Sequence, residues 1–224
     1  MDTPTQSHLY HSLLNHSSCR KVAGFSCGQV PPVLLNNIRA KIGHNIKNIL
    51  GKAGSPIMVL MSKSLPAQNS DYAFLNSPYK KTIIAAHATP DEAYKWYKKG
   101  ANLYFSFNGQ TLTGVIGDVL DGLLKSSGQS ADTSYVAVFV SPKGTLSEWH
   151  YDPVDNYTLQ VSGEKQWRIA PAPQLVGEHG RSAVDMHFTA YTLRPGRLLF
   201  IPNGCWHTVY TVKDSVSLAF NLRE

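Results

Sequence analysis

Cysteine is scarce in this chain: Cys19, Cys27 and Cys205 are its only three among 224 residues. An odd number without knuckle spacing argues against a disulfide framework and against a cysteine-based zinc site; it suits reduced thiols in an intracellular protein. Cys205, beside Trp206 and His207, reads as a buried wall residue rather than a nucleophile or ligand. No run approaches 18 consecutive apolar residues, so no helical membrane span is expected. The N-terminus lacks the continuous apolar segment of a secretory signal. Internal repeats and low-complexity segments are absent too. Apolar residues make up 42% and charged residues 16%, which places the chain among globular proteins. Its length fits one large domain or two small ones.

Acidic residues are missing locally. None lies between Asp2 and Asp71, a stretch that holds Arg20, Lys21, Arg39, Lys41, Lys47, Lys52 and Lys63. Residues 1–70 therefore carry the whole formal net charge of +6. Such asymmetry marks either a solvated basic surface or a face for an anionic partner. The solvated surface is the favoured reading; the alternative partner is an acidic macromolecule or carrier rather than a directly bound nucleic acid. Arginine is too sparse there for an organelle-targeting segment.

Residues 1–30 are polar, and their His8, His11 and His16 read as exposed. Val33, Leu34, Ile38, Ile42, Ile46 and Ile49 recur at spacings of three and four, which predicts one amphipathic helix over 33–50, ended by Gly51 and Gly54. Pro56–Met61 reads as a buried strand and 62–82 as a loop. Thr89-Pro90-Asp91-Glu92 combines a cap, a proline at the first helical position and a capping-box glutamate; the helix it starts places Trp96 and Tyr97 on its buried face and stops at Gly100. Ala101–Phe107 reads as a strand. Val115, Ile116, Val119, Leu120, Leu123 and Leu124 predict a further amphipathic helix, stopped by Ser126-Ser127-Gly128. From Tyr135 onward the texture is short strands: 135–140, 157–162, 165–169, 191–193, 197–201, 208–212 and 215–221, separated by turns such as Ser162-Gly163, Pro195-Gly196 and Asn203-Gly204. Many short strands with regular turns indicate a sandwich or barrel. We expect a mainly β protein with flanking helices, as one structural unit: a basic N-terminal extension over 1–84 packed on a barrel over 85–224.

Within the barrel region, His150-Tyr151-Asp152 is answered 55 residues after Asp152 by His207. Two imidazoles and one carboxylate suit a non-haem Fe(II) centre with open coordination positions. His150 and Asp152 are two apart, so on an extended strand they share a face. His207 follows a strand and the turn Pro202-Asn203-Gly204, a pattern typical of a double-stranded β-helix. Lys165 shares parity with Trp167 and Ile169 on a predicted return strand, so it points inward. A buried lysine needs an anionic partner, and a dicarboxylate co-substrate would supply one. In the last strand Val216, Leu218 and Phe220 form a greasy face. Ser215, Ser217, Ala219 and Asn221 form a small, polar one suited to a pocket floor. Trp149, Trp167 and Trp206 read as core or pocket wall, and His179 and His187 as loop residues.

Residues 150–171 (HYDPVDNYTLQVSGEKQWRIAP) resemble the metal-binding core of the JmjC and cupin-like 2-oxoglutarate oxygenases, whose fold is the jelly-roll double-stranded β-helix. Residues 193–207 (LRPGRLLFIPNGCWH) resemble the strand pair carrying their second histidine. Residues 89–103 are similar to the helix and strand that precede the barrel in the ribosomal-oxygenase branch. That branch and the asparaginyl-hydroxylase branch are the nearest, and the resemblance covers roughly residues 85–222. It implies that His150, Asp152 and His207 are the catalytic iron ligands and that Lys165 pairs with the distal carboxylate of 2-oxoglutarate. It further implies that Asn156, Ser147 (a threonine in the asparaginyl branch) and Asn221 line the co-substrate pocket, with Tyr104 or Tyr135 adding a hydroxyl.

The activity so implied is an Fe(II)-, 2-oxoglutarate- and O₂-dependent hydroxylase. It would act on an aliphatic C–H bond of a protein or peptide side chain or of an amino-acid-like small molecule, with N-demethylation if the carbon is an N-methyl. The ribosomal branch continues into dimerisation and winged-helix regions not found in this sequence, which favours a peptide or small molecule; a homodimer stays compatible. The alternatives are a non-enzymatic cupin that binds a ligand or metal, and a metal-dependent isomerase or hydrolase on the same barrel.

Overall fold

The computed structural model describes residues 25–53, 55–61, 82–169 and 188–223. The readings placed on 1–24, on 62–81 and on 170–187, including those of Cys19, His8, His11, His16, His179 and His187, lie outside them. Among the described residues, ten strands form one antiparallel sheet: β1 Phe25–Gln29, β2 Ile57–Met61, β3 Thr82–Ala88, β4 Asn102–Asn108, β5 Tyr135–Ser141, β6 Leu146–His150, β7 Asp155–Ile169, β8 Thr189–Leu193, β9 Arg197–Ile201 and β10 His207–Leu222. The main path runs β1-β9-β7-β10-β5-β4-β2-β3, while β6 pairs with β10 and β8 with β7. The first half of β7 lies between β9 and β10, and its second half between β8 and β10. Likewise β10 pairs with β6 at its start and with β5 at its end. Two long strands thus pass together from one layer to the other, which makes the jelly roll expected from the sequence.

The strand ladder corrects one reading. Ser162-Gly163-Glu164 is not a turn, and 157–162 and 165–169 are parts of the single strand β7. Strands 208–212 and 215–221 are likewise joined in β10. Instead of a turn, the β7–β10 register shifts at Lys213 and at Val216, a β-bulge opposite Gly163. On the N-terminal side Tyr157, Leu159 and Val161 belong to the main apolar core. Beyond the bulge Trp167 and Ile169, of the same parity, belong to a second core cluster inside the barrel. The bulge therefore transfers the odd-numbered side chains, Lys165 among them, from one face of the sheet to the other. Gly163 is required there: its φ is +73°, and a Cβ would collide with the Asp214 carbonyl oxygen.

Helices cover the outer face of the sheet. They are α1 Pro32–Ile42, α2 Ile46–Gly51, α3 Pro90–Lys98 and α4 Val115–Ser127. The single helix predicted over 33–50 is two: Gly43 leaves helical space at φ 116°, and the Asn45 side chain caps α2 by accepting from the Asn48 N–H at 3.0 Å. The apolar spacing survives the break because Ile38, Ile42 and Ile49 all reach the same core. The capping box of α3 is as read, with Glu92 Oε2 accepting from the Thr89 N–H at 2.9 Å. Tyr97 is buried and Trp96 partly so. Gly128, in the left-handed conformation, ends α4. β1 and β3 were not anticipated: their sequences lack the alternation that marks a half-buried strand, and pairing with β9 and β2 recruits them. Arg39 on α1 ties the helical layer to β7, its Nε and Nη2 donating to the Val161 carbonyl at 3.0 and 2.9 Å.

Gly163→Ala is expected to destabilise the fold by about 2 kcal/mol or more, since it combines a positive φ with a backbone collision. A denaturant melt with wild-type stability would show that the bulge does not depend on glycine.

Candidate metal centre

Antiparallel pairing of β6 with β10 sets His150 directly opposite His207, the last residue of one strand against the first of the other. Their imidazole centroids are 4.2 Å apart. Asp152 lies two residues past the end of β6, so it does not share a strand face with His150 as expected. The chain nonetheless returns its carboxylate to 3.7 Å from His207 Nε2. One ligand atom from each of the three residues falls within a 4.8 Å group. Among the described residues this is the one such group of three His, Cys, Asp or Glu side chains. His207 is buried, whereas the Asp152 side chain is 35% exposed, so the group sits at a mouth rather than in a sealed core.

The surroundings prepare these donors. His207 Nδ1 lies 3.0 Å from the Cys205 carbonyl. That hydrogen bond places the ring proton on Nδ1 and leaves the Nε2 lone pair turned toward Asp152 and His150. Trp167 packs beside the same imidazole, with centroids 5.6 Å apart. Two backbone bonds hold the loops in register: Gly204 N–H donates to the Asp152 carbonyl at 3.0 Å, and Asn203 N–H to Asp155 Oδ1 at 2.9 Å. Two imidazole nitrogens and a carboxylate oxygen at this spacing fit a divalent first-row metal held on one side, with the other coordination positions left to small ligands.

The barrel interior beside the triad is polar. Lys165 is 4% exposed, donates to Ser217 Oγ at 2.9 Å and lies 5.6 Å from the Phe139 ring centroid. Asn156 and Asn221 are Cα partners across β7 and β10, and Tyr135 is the partner of Asn221 on β5, so the three form one row across the interior. Asn156 Nδ2 donates to Asn221 Oδ1 at 3.1 Å, and Thr158 Oγ1 donates to Asn156 Oδ1 at 2.7 Å. Burial pushes the Tyr135 phenol up to about 12, with Tyr104 and the Asp152 charge adding to it. Tyr104 is raised as well, first by burial and also by Asp152, against a lowering hydrogen bond from Ser106. Both hydroxyls are therefore protonated donors near neutral pH. Ser147 is half-buried and lies opposite Val209; a register shift between Val209 and His207 brings it to the same face as His150. Sequence reasoning missed Thr158 and Phe139. Alternation along β5 and β7 marks both, since each shares parity with a named pocket residue, Tyr135 or Asn156. Cys205 is fully buried, and burial raises its thiol to about 11, as befits a wall residue.

Residues 119–224 match the family described as "JmjC domain". An uncharacterized protein of Bacillus subtilis, YxbC, is 27% identical over 161 residues, covering 60% of this chain and 47% of YxbC. A bifunctional lysine-specific demethylase and histidyl-hydroxylase of Drosophila persimilis, NO66, is 38% identical over 78 residues, covering 33% of this chain and 11% of NO66. Among solved structures, the ribosomal oxygenase YcfD of Escherichia coli in complex with cobalt and 2-oxoglutarate superposes with a TM-score of 0.50 at 14% identity, covering 80% of this chain and 43% of YcfD. That likeness establishes the fold. The chain spans less than half the length of each of these relatives.

Replacing one donor, as in Asp152→Ala or His207→Gln, is expected to weaken Co(II) binding by more than roughly 100-fold, the upper end of what outer-shell changes cost. Unchanged affinity in a Co(II) absorption titration would dismiss the triad as the metal site. Cys205 is expected to resist iodoacetamide at pH 8 in the folded protein and to react once the chain is denatured.

Proposed function

From the match of residues 119–224 to the JmjC domain family, we propose that the chain is an Fe(II)- and 2-oxoglutarate-dependent oxygenase that hydroxylates an aliphatic C–H bond. The observation that carries this reading is the convergence of His150, Asp152 and His207 within a 4.8 Å group, at a barrel mouth whose interior holds the buried Lys165. Names of relatives, a histidyl-hydroxylase and a ribosomal oxygenase bound to cobalt and 2-oxoglutarate, point the same way. When bound, Fe(II) and 2-oxoglutarate supply O₂ activation coupled to release of succinate and CO₂, and one oxygen atom enters the substrate C–H bond.

The protein's own residues would bind, orient and shield. His150, Asp152 and His207 hold the metal from one side. The hydrogen bond from His207 Nδ1 to the Cys205 carbonyl keeps Nε2 available as a ligand. Lys165 takes the far carboxylate of 2-oxoglutarate, with Ser217 orienting its ammonium. Asn156, Asn221, Ser147 and Tyr135 line the path between the two. The protonated Tyr135 hydroxyl offers a donor to the co-substrate, and Asn156 orients Asn221 by donating a hydrogen bond from its side-chain amide to Asn221 Oδ1. Trp167, Ile169, Leu199 and Ile201 wall the interior with apolar surface that excludes water. The half-exposed Asp152 side is the approach for substrate, which we read as a side chain of a protein or peptide; an N-methyl carbon placed there would lead to demethylation.

Succinate release from 2-oxoglutarate, dependent on added Fe(II) and O₂, tests the reading. Asp152→Ala is expected to abolish turnover with the melt preserved. Lys165→Ala is expected to raise the KM for 2-oxoglutarate by roughly 30-fold or more, as expected when one partner of a buried charge pair is truncated, with a smaller effect on kcat. An unmoved KM would remove Lys165 from the co-substrate site.

A further inference from the structure

The helical layer on the outer face of the sheet carries a charge pattern that the metal centre does not use. α2 and α3 pack against each other. Lys47 on α2, Lys95 and Lys98 on α3, and Lys99 at the end of α3 are all exposed, flanked by exposed Lys41 and Lys52. Two half-buried aromatic rings organise the group. Tyr94 has Lys47 Nζ at 5.0 Å and Lys98 Nζ at 5.2 Å from its centroid, and Trp96 has Lys99 Nζ at 4.7 Å. The ammonium groups of Lys47 and Lys98 are thus held within about one screening length of each other, ~10 Å at 0.1 M salt. Among the described residues, none of Lys47, Lys98 and Lys99 forms a salt bridge. The neighbouring acids are Asp91, Glu92 and Asp214: the Glu92 carboxylate is engaged by Thr89 in the capping box and also feels Lys95, and Asp214 faces Tyr97.

We infer that this lysine face is a docking surface for an acidic segment of a protein partner. Clustered cations outnumber the acids beside them and repel one another, and an incoming row of carboxylates relieves that repulsion. The chemistry favours a polypeptide over a nucleic acid for two reasons. The cluster on α2 and α3 is built from lysine alone, without the arginine forks that grip phosphate bidentately. Its two rings are already covered by ammonium groups, so they offer little open face for base stacking. The surface lies on the helix-covered side of the sheet, whereas the His150, Asp152 and His207 group opens from the barrel interior. A partner held here leaves the approach to that group clear, and the inference stands whether or not the oxygenase reading does.

The test uses the full chain without added metal. Fluorescence anisotropy follows a labelled poly-glutamate peptide and, separately, a labelled oligo-uridine of equal charge, as salt is raised through about 0.1 M, where screening reaches ~10 Å. The peptide is expected to bind, to weaken with salt, and to lose about tenfold or more affinity in the K47E/K98E/K99E variant. Circular dichroism and Co(II) binding of that variant should match wild type. Absence of peptide binding, binding unchanged by charge reversal, or tighter binding of oligo-uridine than of the peptide would each overturn the inference. Failure here leaves succinate release untouched, so it is distinguishable from failure of the oxygenase reading.

Discussion

β7 and β10 are hydrogen-bonded to each other from Asp155–Leu222 at one end to Ile169–His207 at the other, and the chemistry of the molecule depends on that ladder. The two strands are long enough to belong to both layers of the jelly roll. A strand that crosses between layers must turn, and the bulge at Gly163 is where this pair does so. One extra residue there reverses which side chains face inward. Before it, Asn156, Thr158 and Gln160 face the interior; after it, Lys165, Trp167 and Ile169 do. A regular strand would have sent Lys165 into the apolar layer beneath the helices, where a cation is costly. The same irregularity that bends the barrel thus delivers a buried ammonium to the pocket.

The ladder also sets the electrostatics of the centre. His207 opens β10 and pairs with His150, so backbone registry, not side-chain attraction, brings the two imidazoles together. The Cys205 carbonyl then selects one tautomer of His207. Around this, burial raises the phenols of Tyr104 and Tyr135 further above their ordinary value, with the Asp152 charge pushing the same way. The interior consequently gathers hydroxyl and amide groups and one buried cation, Lys165. The apolar cluster of Trp167, Leu199 and Ile201 keeps the local dielectric low.

Much of this was legible along the chain. Thr89 and Glu92 announced α3 because a capping box is made of local contacts. The apolar spacing of 115–124 announced α4 for the same reason. Val216, Leu218 and Phe220 against Ser217, Ala219 and Asn221 revealed the two faces of β10, since strand alternation is written at period two. Structure departs from the local pattern where geometry is decided at a distance. Ser162-Gly163-Glu164 has the composition of a turn; only the presence of β10 alongside makes it a bulge. Gly43 and Asn45 did carry a stop and a start signal, but the apolar spacing ran through the break and masked it. β1 and β3 were invisible because their partners, not their own patterns, make them strands.

The ligand types, their order and the parity of Lys165 with Trp167 were properties of the sequence by itself, because residue identity and strand period are local. Which face that parity points to was decided only in three dimensions. So was the return of Asp152 to within reach of His207 past the end of β6, and so was the gathering of Lys47, Lys98 and Lys99 around Tyr94 and Trp96. In each case the physical reason is the same: contacts between segments far apart in the chain depend on register and bulges, and these come from pairing with a partner strand or helix that local sequence cannot specify.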